Sequence, residues 1–326
     1  MPFQQPFGPP RWLRHRHLQS MLPSLSFRTR RVLLRARAVV AASEEVVLDA
    51  GGGVRLQGFH ARHTTPARDL VVLHHGWEGC ADSSYILSLA ARLWAEGYDV
   101  FRLNMRDHGA THHLNEELFH SCRLDEMLGA VRAIAARALG QRLSLVGYSL
   151  GGNFALRLAA RAPAAGIALR KAVAICPVLD PAATLDALEK GLWIYRHYFV
   201  RKWARSLERK SAAFPGRYDF SELLGERGLT RMTERLVLQY TGFESMAEYL
   251  RGYALVYGFL DGLQVPCRLI TALDDPIIPA QDLGRLPANP FLKITPTPHG
   301  GHCGFLETLD GRAWVDNEVL HELQKD

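Results

Sequence analysis

Long apolar runs are missing from this 326-residue chain. No stretch approaches the ~18 consecutive apolar residues that cross a bilayer, which excludes a transmembrane helix. No uninterrupted apolar segment follows the first arginines, so a secretory signal is not expected. Cysteine is scarce. Cys80, Cys122, Cys176, Cys267 and Cys303 are odd in number, scattered and without Cys-x-x-Cys spacing. A disulfide framework and a structural zinc site are therefore not expected, and a reducing, cytoplasmic compartment is. Internal repeats and low-complexity tracts are absent as well. Residues 1–43 contain no Asp, Glu or Lys but eight arginines: Arg11, Arg14, Arg16, Arg28, Arg30, Arg31, Arg35 and Arg37. The net charge of +6 thus belongs to that segment, because the rest has 31 basic residues against 33 acidic ones. A body without basic excess is not a nucleic-acid binder. The segment reads as a solvated arm packed on the main domain. Its composition also suits peripheral contact with anionic lipid, or a transit peptide.

Hydrophobic content is 48% and charged content 22%, an ordinary globular balance over a length able to bury a large core. Val46–Leu48 and Val54–Phe59 flank Gly51-Gly52-Gly53 as a hairpin. Short apolar runs then alternate with amphipathic segments. Strands are expected at Leu70–His74, Asp99–Leu103, Leu143–Val146 and Ala172–Cys176, and helices at Tyr85–Glu96, Leu124–Leu139 and Asn153–Arg161. That rhythm signals βαβ units and a parallel sheet. It breaks over 180–263, which is helical in pattern and rich in aromatic and basic residues. It returns at Cys267–Ala272 and Phe291–Thr295, and a helix over Ala313–Leu323 closes the chain. The expected organisation is an arm at 1–43, an α/β core at 44–179 and 264–326, and a helical cap insertion at 180–263.

Four places carry chemistry. Gly147-Tyr148-Ser149-Leu150-Gly151 sits between an apolar strand and a helix. A Gly-x-Ser-x-Gly turn points its serine hydroxyl out of the sheet, and its glycines allow strand and helix to approach. Upstream, Val71-Val72-Leu73-His74-His75-Gly76-Trp77-Glu78-Gly79 runs from a strand into a glycine-bearing loop. In this context the backbone N–H groups of Trp77 and Leu150 are the expected donors of an oxyanion hole. His74 and His75 are poor metal ligands as a pair, since neighbours on a strand face opposite sides. Downstream, Thr297-Pro298-His299-Gly300-Gly301-His302 supplies a base; His302 is preferred because two glycines before it allow a tight loop. The acid comes from Asp274 or Asp275, at the end of the penultimate strand, since successive side chains diverge and only one can orient the imidazole. Asp180 is an alternative acid, more simply read as a helix cap.

Six ordered segments resemble a known family: Arg16-His17-Leu18-Gln19-Ser20, His75–Gly79, Asn104–Gly109, His120–Glu126, the serine turn, and Asp274-Asp275-Pro276 with Gly300–Phe305. Together they look like the YheT-like branch of α/β hydrolases, which includes embryogenesis-associated hydrolases of plants and medium-chain ethyl ester synthases of yeast. The resemblance spans about Leu13 to Leu309. It implies an α/β-hydrolase fold with a mostly parallel sheet, helices on both faces and a Ser-Asp-His triad. In such folds the acid lies three residues after a small residue ending the strand; from Ala272 that is Asp275. Two positions depart from the pattern: Asp107, where many relatives carry Gly, and Cys122, where Ala is common. The expected activity is hydrolysis of short- to medium-chain carboxylic esters by Ser149, Asp275 and His302, with no metal or organic cofactor and a small-molecule ester as partner. Alternatives are alcohol O-acyl transfer (ethyl ester synthesis), lipid hydrolysis at a membrane surface, and a catalytically dead binding module.

Overall fold

The computed structural model describes residues 7–65, 67–138, 140–310 and 312–325. Residues 1–6 of the expected arm, and Pro66, Leu139, Gly311 and Asp326, lie outside the described residues. Strands β1 (Ser43–Asp49) and β2 (Arg55–Ala61) form an antiparallel hairpin whose turn residues Gly51, Gly52 and Gly53 all have positive φ. Then come β3 (Leu70–His74), β4 (Asp99–Leu103), β5 (Leu143–Tyr148), β6 (Leu169–Ile175), β7 (Cys267–Ala272) and β8 (Leu292–Thr297). They make one eight-stranded sheet in the order β1-β2-β4-β3-β5-β6-β7-β8. β2 meets β4 antiparallel, and the remaining pairings from β4 to β8 are parallel.

Helices α1 (Arg16–Met21), α2 (Ser26–Ala41), α3 (Ser84–Ala95), α4 (Leu124–Arg137) and α5 (Leu150–Arg161) precede the insertion. Helices α6 (Pro181–Lys190), α7 (Trp193–Ala213), α8 (Ser221–Leu224), α9 (Leu229–Tyr240) and α10 (Met246–Arg251) fill the stretch between β6 and β7, and α11 (Trp314–Gln324) ends the chain. Every residue of β3, β4, β5 and β7 is buried, as a parallel sheet covered on both faces requires. Period-2 alternation sends neighbours to different layers. Leu70 and Val72 join one apolar cluster with Val131 and Phe154 of α4 and α5, whereas Val71 and Leu73 join another with Val32, Leu89 and Val319 of α2, α3 and α11. Each such aliphatic side chain contributes about 1.5–3 kcal/mol on burial.

Several boundaries differ from the sequence pattern, three of them for plain local reasons. α5 begins at Leu150, not Asn153, because Gly151 and Gly152, poor helix formers, stand in its first turn. β6 stops at Ile175, and Cys176 leaves the strand with φ 43°. β8 continues past Pro296 to Thr297; it is an edge strand, where proline's missing donor costs no ladder bond. The arginine segment is folded, not trailing: Leu13, Gln19, Val32, Ala36 and Val39 are buried.

Candidate active site

The sharp turn between β5 and α5 holds Ser149 at φ 53° and ψ −120°, a conformation that L-residues occupy at a cost of about 1–3 kcal/mol. Its N–H donates to the Ile175 carbonyl at 2.8 Å. The flanking glycines are obligatory for a measurable reason. A Cβ on Gly147 would stand 2.0 Å from the Gly151 carbonyl oxygen, and one on Gly151 would stand 2.4 Å from the carbonyl oxygens of both His74 and His75. The strand, the helix and the end of β3 thus converge where only hydrogen fits.

Two hydrogen bonds run from this serine to a carboxylate. His302 Nε2 lies 3.0 Å from Ser149 Oγ, and His302 Nδ1 lies 2.9 Å from Asp275 Oδ2. With Nδ1–H donating to the carboxylate, Nε2 is the lone-pair nitrogen that faces the serine hydroxyl. Asp275 is held in turn: its Oδ1 accepts from the N–H groups of Ile277 (2.8 Å) and Ile278 (3.0 Å), and its side chain is fully buried. Asp274 turns away and accepts from Gly301 N–H at 2.9 Å, with His299 Nδ1 at 3.6 Å. Asp180 caps α6 by accepting from Ala182 and Ala183 N–H, and it pairs with Arg285 at 2.6 Å. The structure therefore brings Ser149, His302 and Asp275 together and leaves Asp274, His299 and Asp180 in neighbouring supporting contacts.

The loop after β3 crosses over the serine. A Cβ on Gly76 would stand 3.1 Å from Ser149 Cβ. That loop is braced by two side chains, the buried His75 and the half-buried Tyr85. His75 Nδ1–H donates to the Gly76 carbonyl (2.8 Å), its Nε2 accepts from Met105 N–H (3.2 Å), and Tyr85 Oη accepts from Gly76 N–H (3.0 Å). Burial pushes the His75 ring down to about 4, so it is neutral and its tautomer is set. Trp77 follows on this loop, and Leu150 opens α5, where the first N–H groups have no intrahelical acceptor. Trp77's ring stacks on Phe199 (5.3 Å, 10°) and meets Trp203 edge-on (5.2 Å, 73°).

A cavity of about 550 Å³ opens beside these groups, lined by Ser149, Leu150, Trp77 and His302 from the core and by Tyr198, Phe199, Trp203, Leu236 and Tyr253 from the insertion. Trp193 is 62% exposed and is not among the lining residues. Glu78, also on the wall, is pushed up to about 7 by burial, with Lys202 opposing the shift; Lys202 Nζ donates to the Glu78 carbonyl at 2.8 Å. Cys176, His302 and Cys303 each bring a ligand atom within 4.8 Å of the others. Both His302 nitrogens are already engaged by Asp275 and Ser149, so the cluster offers a metal two thiols at most without displacing the serine.

Two supports escaped the sequence reading. Ser20 Oγ accepts from His302 N–H (2.8 Å) and donates to the Arg16 carbonyl (2.8 Å). Buried Gln19 donates from Nε2 to the Leu13 and Leu306 carbonyls, and its Oε1 accepts from Leu306 N–H. A Cβ on Gly304 would stand 2.1 Å from the Gln19 carbonyl oxygen. The N-terminal segment therefore shapes the His302 loop. The run Arg16–Ser20 was visible as a mark of resemblance, but its role needs the fold. Asp107 also gains a meaning: it has φ 58°, the backbone a glycine would suit, and its Oδ1 accepts from Lys210 Nζ of α7 at 2.8 Å.

Comparison with known proteins agrees with this architecture. A family model described as the alpha/beta hydrolase fold matches residues 69–308. YheT of Escherichia coli (strain K12), a protein named as an esterase, is 24% identical over 321 residues, covering 96% of this chain and 91% of its own. The embryogenesis-associated protein EMB8 of Picea glauca is 23% identical over 267 residues, 78% of this chain and 58% of its own. Among solved structures, the Pyrococcus furiosus esterase Pf2001 superposes with a TM-score of 0.59 at 15% identity, over 86% of this chain and 90% of that one. By its sheet order, its strand–serine–helix turn and these matches, the chain belongs to the α/β-hydrolase family, and it is similar to YheT over nearly its whole length.

Proposed function

We propose that the protein is a carboxylic ester hydrolase that works through an acyl-enzyme. The observation that carries this reading is the pair of hydrogen bonds, 3.0 Å and 2.9 Å, that links Ser149 through His302 to Asp275 on the wall of an apolar cavity. Ser149 Oγ attacks the ester carbonyl while His302 Nε2 takes its proton. The N–H groups of Trp77 and Leu150 hold the oxyanion. His302 then gives the proton to the leaving alcohol, and a water activated by the same nitrogen releases the acid. Asp275 keeps the ring in its working tautomer and stabilises the imidazolium.

In this reading 44–179 and 264–326 are the catalytic core, and 180–263 is a cap whose helix α7 walls the acyl site. A cavity of about 550 Å³ with aromatic walls suits short- to medium-chain acyl groups. The five cysteines are free, in keeping with a cytoplasmic enzyme. No helix among the described residues is long and apolar enough to cross a membrane. The test is a p-nitrophenyl ester panel of rising acyl length, run beside Ser149→Ala. Wild-type turnover that the variant lacks is the expected result. Equal turnover by both proteins sinks the reading, and ethyl esters among the products when ethanol is added would mark acyl transfer instead.

A further inference from the structure

Helix α2 buries one narrow stripe, Arg28, Val32, Ala36 and Val39. At 3.6 residues per turn, Phe27, Arg30, Leu33, Leu34 and Arg37 fall on the opposite side. An amphipathic helix on a globular body ordinarily turns polar residues outward. Here Phe27, Leu33 and Leu34 are 40%, 48% and 54% exposed, interleaved with arginines. Two further arginines, Arg31 and Arg35, reach the Leu309 and Asp310 carbonyls on the neighbouring loop, and Arg35 lies 3.8 Å from the Asp310 carboxylate.

Charge says what this face fits. Residues 1–43 carry eight arginines and no acid, while the rest of the chain is slightly acidic. A basic helix face with large apolar side chains among the cations is the composition that lies in the plane of an anionic bilayer. Position adds a second argument. Pro23 and Ser24, just before α2, and Thr29 within it line the cavity that holds Ser149, together with Ile194 and Tyr198 of α7. Ile194 is 39% exposed, and next in sequence to the lining residues Ser24 and Ile194, Leu25 is 44% exposed and Trp193 62%. Exposed aromatic and aliphatic side chains beside cavity-lining residues are what an interfacial enzyme presents to lipid.

We propose that this face of α2 docks on an anionic lipid bilayer. The arginines meet headgroup phosphates, Phe27, Leu33 and Leu34 enter the acyl boundary, and the exposed side chains of Leu25 and Trp193 open the cavity toward the lipid. Docking stands on its own. That the docked enzyme then cleaves lipid esters rests on the esterase reading above.

Co-sedimentation of the full chain with vesicles tests the proposal. One set is phosphatidylcholine alone, and the other adds phosphatidylglycerol, each at low and high salt. The protein should sediment with the anionic set only, and release as salt rises. Each arginine near an anionic surface is worth roughly fivefold in partition, so Arg30→Gln with Arg37→Gln should lower binding roughly 25-fold. Leu33→Ser with Leu34→Ser should lower it too. Both double variants should hydrolyse a soluble short-chain ester like wild type, and Ser149→Ala should bind vesicles undiminished. Absence of vesicle binding, equal binding to both lipid sets, or indifference to the two double variants would overturn the proposal. So would light scattering that shows a dimer abolished by Leu33→Ser with Leu34→Ser, in a protein that ignores vesicles. Vesicle binding by a protein without ester turnover would uphold docking while removing the esterase reading.

Discussion

Ser149 is held at positive φ by a turn that tolerates no side chain on either flanking glycine, and that strain is spent on aiming one hydroxyl. Its truncation tests the site most directly: Ser149→Ala should lower kcat by about 10⁴–10⁶, by analogy with removal of a triad serine, and leave thermal unfolding unchanged. Steady-state kinetics on p-nitrophenyl butyrate reads it, and a loss under tenfold would remove Ser149 from the mechanism. The two neighbouring aspartates should separate cleanly. Asp275→Asn should cost about 10⁴ in kcat, because an amide cannot hold the imidazole tautomer. Asp274→Asn keeps an oxygen for Gly301 N–H and should lose less than about tenfold. Gln19 is a residue of the same importance to the loop, though not to the chemistry. Gln19→Leu would strand the Leu13 and Leu306 carbonyls and the Leu306 N–H, each at a cost of roughly 1–3 kcal/mol when buried. A lowered Tm with reduced kcat is the expected outcome, and an unchanged Tm would show that water replaces the amide.

At the scale of elements, α7 does two things along one length. Its first half faces the cavity with Tyr198, Phe199 and Trp203, and its second half is fastened to the core by Lys210. That ammonium is buried and donates to Asp107 Oδ1 at 2.8 Å, the Asn115 carbonyl at 2.6 Å and the Glu117 carbonyl at 3.0 Å. Removing one partner of a buried pair leaves the other uncompensated, at about 3–5 kcal/mol. Lys210→Met should therefore destabilise strongly in urea unfolding. Adding Asp107→Gly should recover part of the loss, because glycine suits φ 58° and takes the stranded carboxylate away. A double variant no more stable than Lys210→Met alone would show that the carbonyl contacts, and not the ion pair, dominate. The aromatic half makes a different claim. Alanine at Tyr198, Phe199 or Trp203 should shift the preferred acyl length in graded steps of ~1–3 kcal/mol per methylene, while Trp193→Ala, outside the cavity, should leave the profile unchanged.

For the molecule as a whole, acid is the condition that tests its interior. Burial pushes His60, His74, His75 and His112 down to about 4, and His108 and His120 to about 3. In the unfolded chain these rings take a proton near 6.5. The unfolded state therefore binds more protons below 6.5, and stability present above that pH is lost as pH falls toward 4. Each fully buried ring contributes up to roughly 3 kcal/mol of that loss, against a total stability of roughly 5–15 kcal/mol. Carboxyls raised by desolvation act in the other direction, Asp107 and Glu126 among them and above all Asp316, raised to about 6, and Glu78, raised to about 7: they hold protons in the folded state that the unfolded chain releases. The six large ring shifts outweigh the two large carboxyl shifts, so circular dichroism should show unfolding between pH 6.5 and 4. A fold intact below pH 4 would mean that these rings are reached by water.

What the chain dictated by itself was whatever depends on neighbours in sequence. The apolar runs at Leu70–His74, Asp99–Leu103 and Cys267–Ala272 are strands with those same ends, because a buried parallel strand is a local composition bounded by local breakers. The serine turn was equally legible, since the clash that demands Gly147 arises within five residues, whereas the need for Gly151 comes from the distant His74 and His75 carbonyls. Tertiary structure decided the rest, because it concerns groups distant along the chain. Ser149 and His302 are 153 residues apart and His302 and Ser20 are 282 apart, and only the fold brings such distant groups within hydrogen-bond reach. The strand's end at Ala272 and the turn after it carry Asp275 inward to the imidazole and Asp274 to the Gly301 N–H. Lys210, one of the bases in the aromatic and basic stretch over 180–263, meets a buried carboxylate 103 residues upstream. Helical periodicity marks which residues share a face, but only the packed neighbours determine whether that face is walled, paired or left to solvent.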